Sequence, residues 1–218
     1  MALPPHPIAY GGMQVMVVTV VFLTLAVISL AFRLWSRRIQ GAKLVFNDYA
    51  VIAGTVLSFG STMMPFSACI VGGLGYHLAE VPAERFALFL RLFVPGQLLW
   101  AAANTCVKHS ILSLYITIFP NNKKIHYICY GTAAAATCYF ISVFLEGFLL
   151  CTPAAFTWDK TIVGGTCKNE NIAYLVAGIT NLLLDIIIVV LPMPTLMGLK
   201  MSLGKRLGII AMFSLGIL

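Results

Sequence analysis

Residues 181–200 read NLLLDIIIVVLPMPTLMGLK, and one carboxylate, Asp185, lies inside this apolar run. Three leucines precede it and five branched apolar residues follow it. In a bilayer an ionised carboxylate at the centre of a helix costs at least about 2.5–3.5 kcal/mol, so it needs a partner. The solvent around this segment, water or lipid, therefore decides both the fold and the meaning of Asp185.

Composition identifies that solvent. Of 218 residues, 60% are apolar and 10% are charged. Soluble domains carry about 25% charged and about 45–50% apolar residues. A water-soluble fold of this size could not cover so apolar a chain with polar surface, and the sequence therefore predicts an all-α, polytopic membrane protein.

Hydrophobic runs predict helices at about 13–34, 48–71, 94–119, 125–150 and 170–192, each near the roughly 20 residues that cross the hydrocarbon core. Residues 83–93 form either a short interfacial helix or an extension of the third helix, with a break expected at Pro95. Small residues spaced four apart, such as Gly131 and Ala135, predict the packing face of the fourth helix. Asn47 and Asp48 are expected to cap the second helix.

A sixth apolar run, 207–218, has only 12 residues and is too short to span a bilayer. We therefore expect a single transmembrane bundle domain over residues 1–218 that lacks its last one or two helices. The first run follows a leader without Lys or Arg and is predicted to be a retained helix, not a signal peptide.

The net charge of +7 is concentrated in alternate loops. Nine of the 14 basic residues follow the first, third and fifth runs: Arg33, Arg37, Arg38, Lys43, Lys123, Lys124, Lys200, Lys205 and Arg206. Such clustering is the positive-inside pattern, so it predicts an N-terminus outside and these loops in the cytoplasm of a plasma-membrane or endomembrane protein. This distribution indicates contact with the bilayer and a possible cytoplasmic partner at Arg37, Arg38, Lys123, Lys124, Lys205 and Arg206, and it excludes a nucleic-acid site.

Lys108 is the one cation expected at the depth of Asp185. It lies 15 residues before Lys123, and Asp185 lies 15 residues before Lys200, about 22 Å along a helix. Asn104 and Asn181 each stand four residues before one of these charges, on the same helix face. The sequence therefore predicts a polar layer of these four side chains near the midplane. It is either a structural ion pair or part of a site for a ligand, an ion or a proton, to which Glu146 could add.

Cys151 and Cys167 bracket the loop between the fourth and fifth helices. On an oxidising outer face, a disulfide is favoured over two free thiols. There is no CxxC pair, Cys/His cluster, phosphate-binding loop, GxSxG or HExxH, so we expect no metal and no cofactor. Any acid–base groups of an enzyme would have to be dispersed over several helices, which makes enzymatic activity uncertain and disfavoured.

Several motifs occur together in order: NDY at 47–49, GLGYH at 73–77, VKHSILSLYITIF at 107–119, CTPAAFTWD…GTC in the loop, and DIIIVVLPMPTL followed by KRLGIIAMFSLG. In this the chain resembles the fungal rhodopsin-domain integral membrane proteins, a receptor-like seven-helix family, from about Arg33 to Gly216. The resemblance implies a seven-helix bundle with an outside N-terminus and a Cys151–Cys167 pair. It does not imply retinal, which an opsin binds through a lysine on helix seven. Nor does it imply ordinary G-protein contacts, since YITIFPNNKK stands at the end of helix three in place of the acidic–Arg–aromatic triplet of ordinary receptors.

Two functions remain open at this level. The first is a receptor-like sensor of an extracellular or lipophilic ligand, in which the ligand biases the Lys108–Asp185 layer. The alternative is a membrane-embedded enzyme or accessory protein of a secondary-metabolite pathway, since some relatives in the family are encoded in such gene clusters. Glu146, Lys108 and Asp185 would then be the groups available for proton transfer. A transporter is less favoured, because no inverted repeat is recognisable.

Overall fold

The computed structural model describes residues 10–41, 43–70 and 81–194. The helices in these residues are α1 (Tyr10–Ile39), α2 (Phe46–Ile70), α3 (Ala83–Ile118), α4 (Lys123–Leu149) and α5 (Glu170–Val190). All five are long and apolar enough to cross a membrane. The predicted all-α, polytopic membrane bundle is therefore confirmed. The partial run 207–218, together with Lys205 and Arg206, lies outside the described residues.

Helix α3 differs from its prediction. It runs without interruption from Ala83 to Ile118, so the break expected at Pro95 is wrong and residues 83–93 are an extension of the helix. A transmembrane helix tolerates an internal proline where neighbouring helices pack across it. Here Val94, directly before the proline, is buried and lies 3.5 Å from where a side chain on Gly147 of α4 would begin. At 36 residues α3 is about 54 Å long, so it must project beyond a hydrocarbon core of about 30 Å.

Helices α2 and α3 approach each other closely at a glycine. A Cβ on Gly54 would lie 3.0 Å from Val107 Cγ2 and 3.3 Å from the carbonyl oxygen of Ala103. Only a residue without a side chain lets the two backbones come this near, which is the usual role of small residues between helices in lipid. Because the same helix pair also meets at Gly96, whose Cβ would lie 3.0 Å from Met64 Cβ, α2 and α3 form one closely packed unit.

The buried face of α4 is not the one predicted from its small residues. A Cβ on Gly131 would have no neighbour within 4 Å in the described structure, and Ala135 is exposed. The buried positions lie on another face, are spaced three or four apart and mix small with bulky side chains: Ile125, Cys129, Thr132, Ala136, Tyr139 and Val143. Among the described residues the face of Gly131 and Ala135 is therefore not the one through which α4 packs on α3 and α5.

Between α4 and α5 the chain forms a small closed loop. Strand β1 (Cys151–Thr152) pairs antiparallel with β2 (Thr166–Cys167), and a short 3₁₀ helix, Ala154–Thr157, lies between them. Cys151 stands opposite Cys167, and the two form the predicted disulfide, which is confirmed. We refer to this end of the bundle as the disulfide end, and to the opposite end, where α1 and α3 finish and α2 and α4 begin, as the basic end.

Candidate functional site

The structure brings four of the predicted side chains into one hydrogen-bonded network between α3 and α5. The Lys108 ammonium donates to Asp185 Oδ1 and forms an ion pair with it. Asn104 Nδ2 donates to Asn181 Oδ1 at 2.7 Å, and Asn181 Nδ2 donates to Asp185 Oδ2 at 3.3 Å. We call these four residues the polar layer.

The polar layer follows from the register of two parallel helices. Both α3 and α5 start at the disulfide end, and each carries its asparagine one turn before its charge. The two interhelical pairs, Asn104–Asn181 and Lys108–Asp185, are separated by the same 77 positions in the chain. Equal spacing on parallel helices places equal residues at equal depth, so each polar group finds its partner.

The two charges of the layer are enclosed unequally. The Lys108 side chain is 2% exposed, whereas that of Asp185 is 43% exposed. The enclosed Lys108 ammonium depends on the Asp185 carboxylate for charge neutralisation. The described residues leave no path by which a substrate could reach it. Among the described residues the carboxylate keeps an open side, where a further hydrogen-bond donor could bind. The arrangement therefore suits an ion pair that another group could break by binding to Asp185. It suits nucleophilic chemistry at Lys108 less well.

Glu146 lies near the polar layer but outside it. Its Oε2 is buried and has no hydrogen-bond partner among the described residues. Tyr139 lies seven residues before it on the same face of α4, and its buried phenol interacts electrostatically with the carboxylates of both Glu146 and Asp185. Tyr139 was not identified from the sequence, although the seven-residue spacing to Glu146 was a signal for it.

The loop at the disulfide end is fastened to the start of α5 by charge as well as by the disulfide. Lys160 Nζ donates to Glu170 Oε1 at 2.8 Å and lies 4.9 Å above the ring of Phe156. Glu170 is in the first turn of α5, where the helix dipole favours a carboxylate. Hydrogen bonds from the side chain and the backbone N–H of Thr161 lower the pKa of the Asp159 carboxyl. The loop is thus held in place as a roof over the bundle.

In the described part of the chain, one cluster brings together three residues of the kinds that bind metals. It consists of Cys151, Cys167 and Glu170. Both sulfurs are consumed in the disulfide, so only one carboxylate remains to coordinate an ion. This group does not fit a metal site.

At the basic end a buried carboxylate joins α1 to α2. Asp48 Oδ1 accepts from Arg33 Nε at 3.0 Å, and its Oδ2 lies 3.3 Å from Arg37 Nε and accepts from the Val45 N–H at 3.1 Å. Asp48 therefore caps α2 from inside its first turn, as a capping-box acid does. Asn47 does not cap the helix: its Oδ1 has no hydrogen-bond partner in the described structure.

The predicted basic residues are thus not equivalent. Arg37 is engaged by Asp48 and contributes to folding, whereas Arg38, Lys123 and Lys124 are exposed. The i, i+4 spacing of Arg33 and Arg37 on α1 was the sequence signal for a shared anionic partner.

The comparisons agree with this architecture. The family model of the fungal rhodopsin domain matches residues 32–218. The chain is 26% identical over 211 residues to a polyenoic acids biosynthesis gene cluster protein of Metarhizium anisopliae, covering 95% of this chain and 57% of that protein. It is 27% identical over 204 residues to wortmanamides biosynthesis cluster protein C of Talaromyces wortmannii, covering 92% and 56%.

A third relative is a SAT4 family membrane protein of Emericella nidulans, 29% identical over 151 residues, which cover 66% of this chain and 38% of that protein. The chain thus spans about half the length, or less, of these relatives. No solved structure matches. The family match covers most of the chain and agrees with its five membrane-length helices and its disulfide, so this multi-pass membrane protein belongs to the fungal rhodopsin domain family.

Proposed function

We propose that this protein is a receptor-like membrane protein that senses a lipophilic ligand at the disulfide end and responds by moving α5 relative to α3. In the proposed orientation the disulfide end faces the outside or the lumen and the basic end faces the cytoplasm. The exposed Arg38, Lys123 and Lys124 support this orientation under the positive-inside rule. They also offer a charged surface to a cytoplasmic partner.

The observation behind the proposal is the unequal enclosure of the polar layer. Side-chain pairs join α3 to α5 at this depth, and one member, Asp185, is open on one side. A polar contact that can exchange one partner for another is a bistable element, and a ligand shifts such an element only by binding its two states with different affinity. A ligand that binds between α3 and α5 on the disulfide side has that opportunity.

The test is made in the source fungus with chromosomal Asp185→Leu and Lys108→Met variants. Each strain is exposed to the organic-soluble extract of its own culture, and the transcriptional response is measured. We expect both variants to lose a response that the wild type shows, when strains with equal amounts of the protein in their membranes are compared. A wild-type response from both variants would refute the switch.

A second candidate function is an accessory role in a secondary-metabolite pathway. It is favoured by the names of two relatives, which are described as biosynthesis cluster proteins. Glu146, Tyr139 and Asp185 would then be the groups available to move a proton. Metabolite profiling of a deletion strain tests this role. A missing or altered product is expected, and an unchanged profile under conditions in which the gene is expressed would refute it.

A further inference from the structure

A cavity of about 490 Å³ lies between α2, α3 and α5 toward the disulfide end. Its walls are formed chiefly by Met64, Pro65, Phe89, Phe93 and Trp100, and none of the described residues that line it is charged. The volume falls within the range of about 300–1,000 Å³ that is typical of small-molecule sites. We call it the apolar chamber. An ionic group buried there would lose its hydration without gaining a counter-ion, so any occupant must be apolar in this part.

A second cavity of about 150 Å³ adjoins it directly beneath the disulfide loop. Both cavities are lined by Phe89, Phe93 and Tyr174, so these rings stand at the boundary between them. The second cavity is polar at one side, where Thr157, Lys160 and Glu170 line it, and we call it the head chamber.

Thr157 is the unexplained group of the head chamber. Its residue is 9% exposed, and its hydroxyl has no hydrogen-bond partner among the described residues. A buried hydroxyl without a partner is unfavourable, so native proteins rarely retain one without a reason. Lys160 lines the same small cavity, and its ammonium donates to Glu170 and Cys167 and keeps one further N–H. Thr157 and Lys160 therefore suit an uncharged head that accepts hydrogen bonds, because a charged carboxylate would lie beside Glu170.

The apolar chamber is also aligned with the polar layer. Gln97 and Tyr174, which line it, stand 11 residues before Lys108 and Asp185 respectively. Eleven residues are three helical turns, so each pair lies on one helix face about 16 Å apart. A ligand in the chamber therefore contacts the same faces of α3 and α5 that the polar layer joins.

We propose that the two chambers bind one single-chain lipophile, with its apolar body in the apolar chamber and an uncharged carbonyl head, a protonated carboxylic acid or a carboxamide, bonded by Thr157 and Lys160. The head chamber, at about 150 Å³, is small, which favours such a head over a phospholipid head group with its glycerol. This inference names the class of ligand that the proposed receptor-like protein would sense. That binding changes the contact between α3 and α5 rests on the proposed function.

The experiment uses the intact protein in nanodiscs and a palmitic acid analogue that carries a photoreactive diazirine in its chain. Labelled peptides are mapped by mass spectrometry while palmitic acid, palmitamide or hexadecane is added as competitor. We expect labels on α2 and α3 around Pro65 and Phe93 that the acid and the amide displace and hexadecane does not. Helix α1 is an internal control, because none of its most apolar stretch is buried inside the protein. The probe therefore labels it from the lipid, and no competitor should displace that labelling.

Variants locate the two parts of the site. Thr157→Val should weaken competition by palmitic acid and palmitamide about three- to tenfold, the effect of one hydrogen bond. Thr166→Val, the same change at an exposed position of the loop, should have no effect. Ala68→Leu fills the apolar chamber and should abolish displaceable labelling, whereas Ala134→Leu on the exposed face of α4 should leave it intact.

Labelling of α2 and α3 that no competitor displaces, or equal competition by hexadecane, would overturn the site. An intact disulfide on a non-reducing gel and unchanged α1 labelling show that a variant has folded. If displaceable binding persists in Asp185→Leu while the transcriptional response is normal, the switch fails and the site stands. If binding is absent while that variant loses its response, the site fails and the switch stands.

Discussion

The sharpest consequence of the polar layer is an asymmetric double-mutant cycle at Lys108 and Asp185. Asp185→Leu leaves an ammonium that is 2% exposed without its counter-ion. Removing one partner of a buried pair typically costs about 3–5 kcal/mol, and a lone charge at membrane depth costs at least about 2.5–3.5 kcal/mol. We therefore expect Asp185→Leu to lower the free energy of unfolding by about 3–5 kcal/mol.

Lys108→Met should be less damaging. The remaining carboxylate is 43% exposed, still accepts from Asn181 Nδ2 at 3.3 Å, and can be neutralised by a proton. We expect a loss of about 2–3 kcal/mol. The double variant replaces both charges with apolar groups of similar length and should lie within about 1 kcal/mol of the wild type, since apolar replacement of a buried pair is often neutral. The interaction energy of the cycle is then at least about 4 kcal/mol.

The assay is unfolding of the purified protein in mixed micelles, followed by circular dichroism as the fraction of denaturing detergent rises. Two results would contradict the reasoning. Additive effects of the single variants would mean that the two charges are not coupled. A larger loss from Lys108→Met than from Asp185→Leu would mean that the enclosure of the ammonium does not set the cost.

Three further predictions concern packing and loops. Cys151→Ser opens a disulfide of sequence separation 16 and should lower stability by about 3 kcal/mol, seen as a lower Tm under non-reducing conditions; an unchanged Tm would show that Lys160 and the hairpin suffice to hold the loop. Gly54→Ala places a Cβ 3.0 Å from Val107 and should lower the free energy of unfolding by about 1–3 kcal/mol in the same micelle assay. The control Gly131→Ala meets nothing within 4 Å and should be neutral or slightly stabilising, and equal effects of the two variants would count against close contact of α2 and α3. Asp48→Ala removes an acceptor shared by two arginines and the cap of α2 and should cost about 1–2 kcal/mol, with exposed Arg38→Gln within ~0.5 kcal/mol of the wild type; a thermal melt of both variants that shows no difference would refute the anchoring role.

The bundle and its register could be predicted from the sequence for a specific physical reason. Lipid offers no hydrogen-bond partners, so apolar runs of membrane length must be helices. For the same reason Lys108 and Asp185, which are expected at the same depth because each stands 15 residues before the next lysine, must form an ion pair. The asparagines one turn earlier, Asn104 and Asn181, are then opposite each other and form a hydrogen bond. The disulfide was predictable because Cys151 and Cys167 bracket one short loop.

Other features were decided only by tertiary contacts. Helix α3 continues through Pro95 because α4 packs across it, and no local pattern reports on a neighbour that is distant in sequence. The engagement of Arg37 by Asp48 likewise depends on how α1 and α2 meet, which separates it from the exposed Arg38 although both belong to one basic cluster.

The sequence by itself determined the solvent, the helices and the depth of each charge, because these depend on composition and on distance along one helix. Only the tertiary structure decided which helix faces meet, that Asp185 is left partly open among the described residues while Lys108 is enclosed, and that Thr157 lines a cavity. Those properties depend on side chains from several helices that enclose the same volume, and spacing along one helix contains no information about that volume.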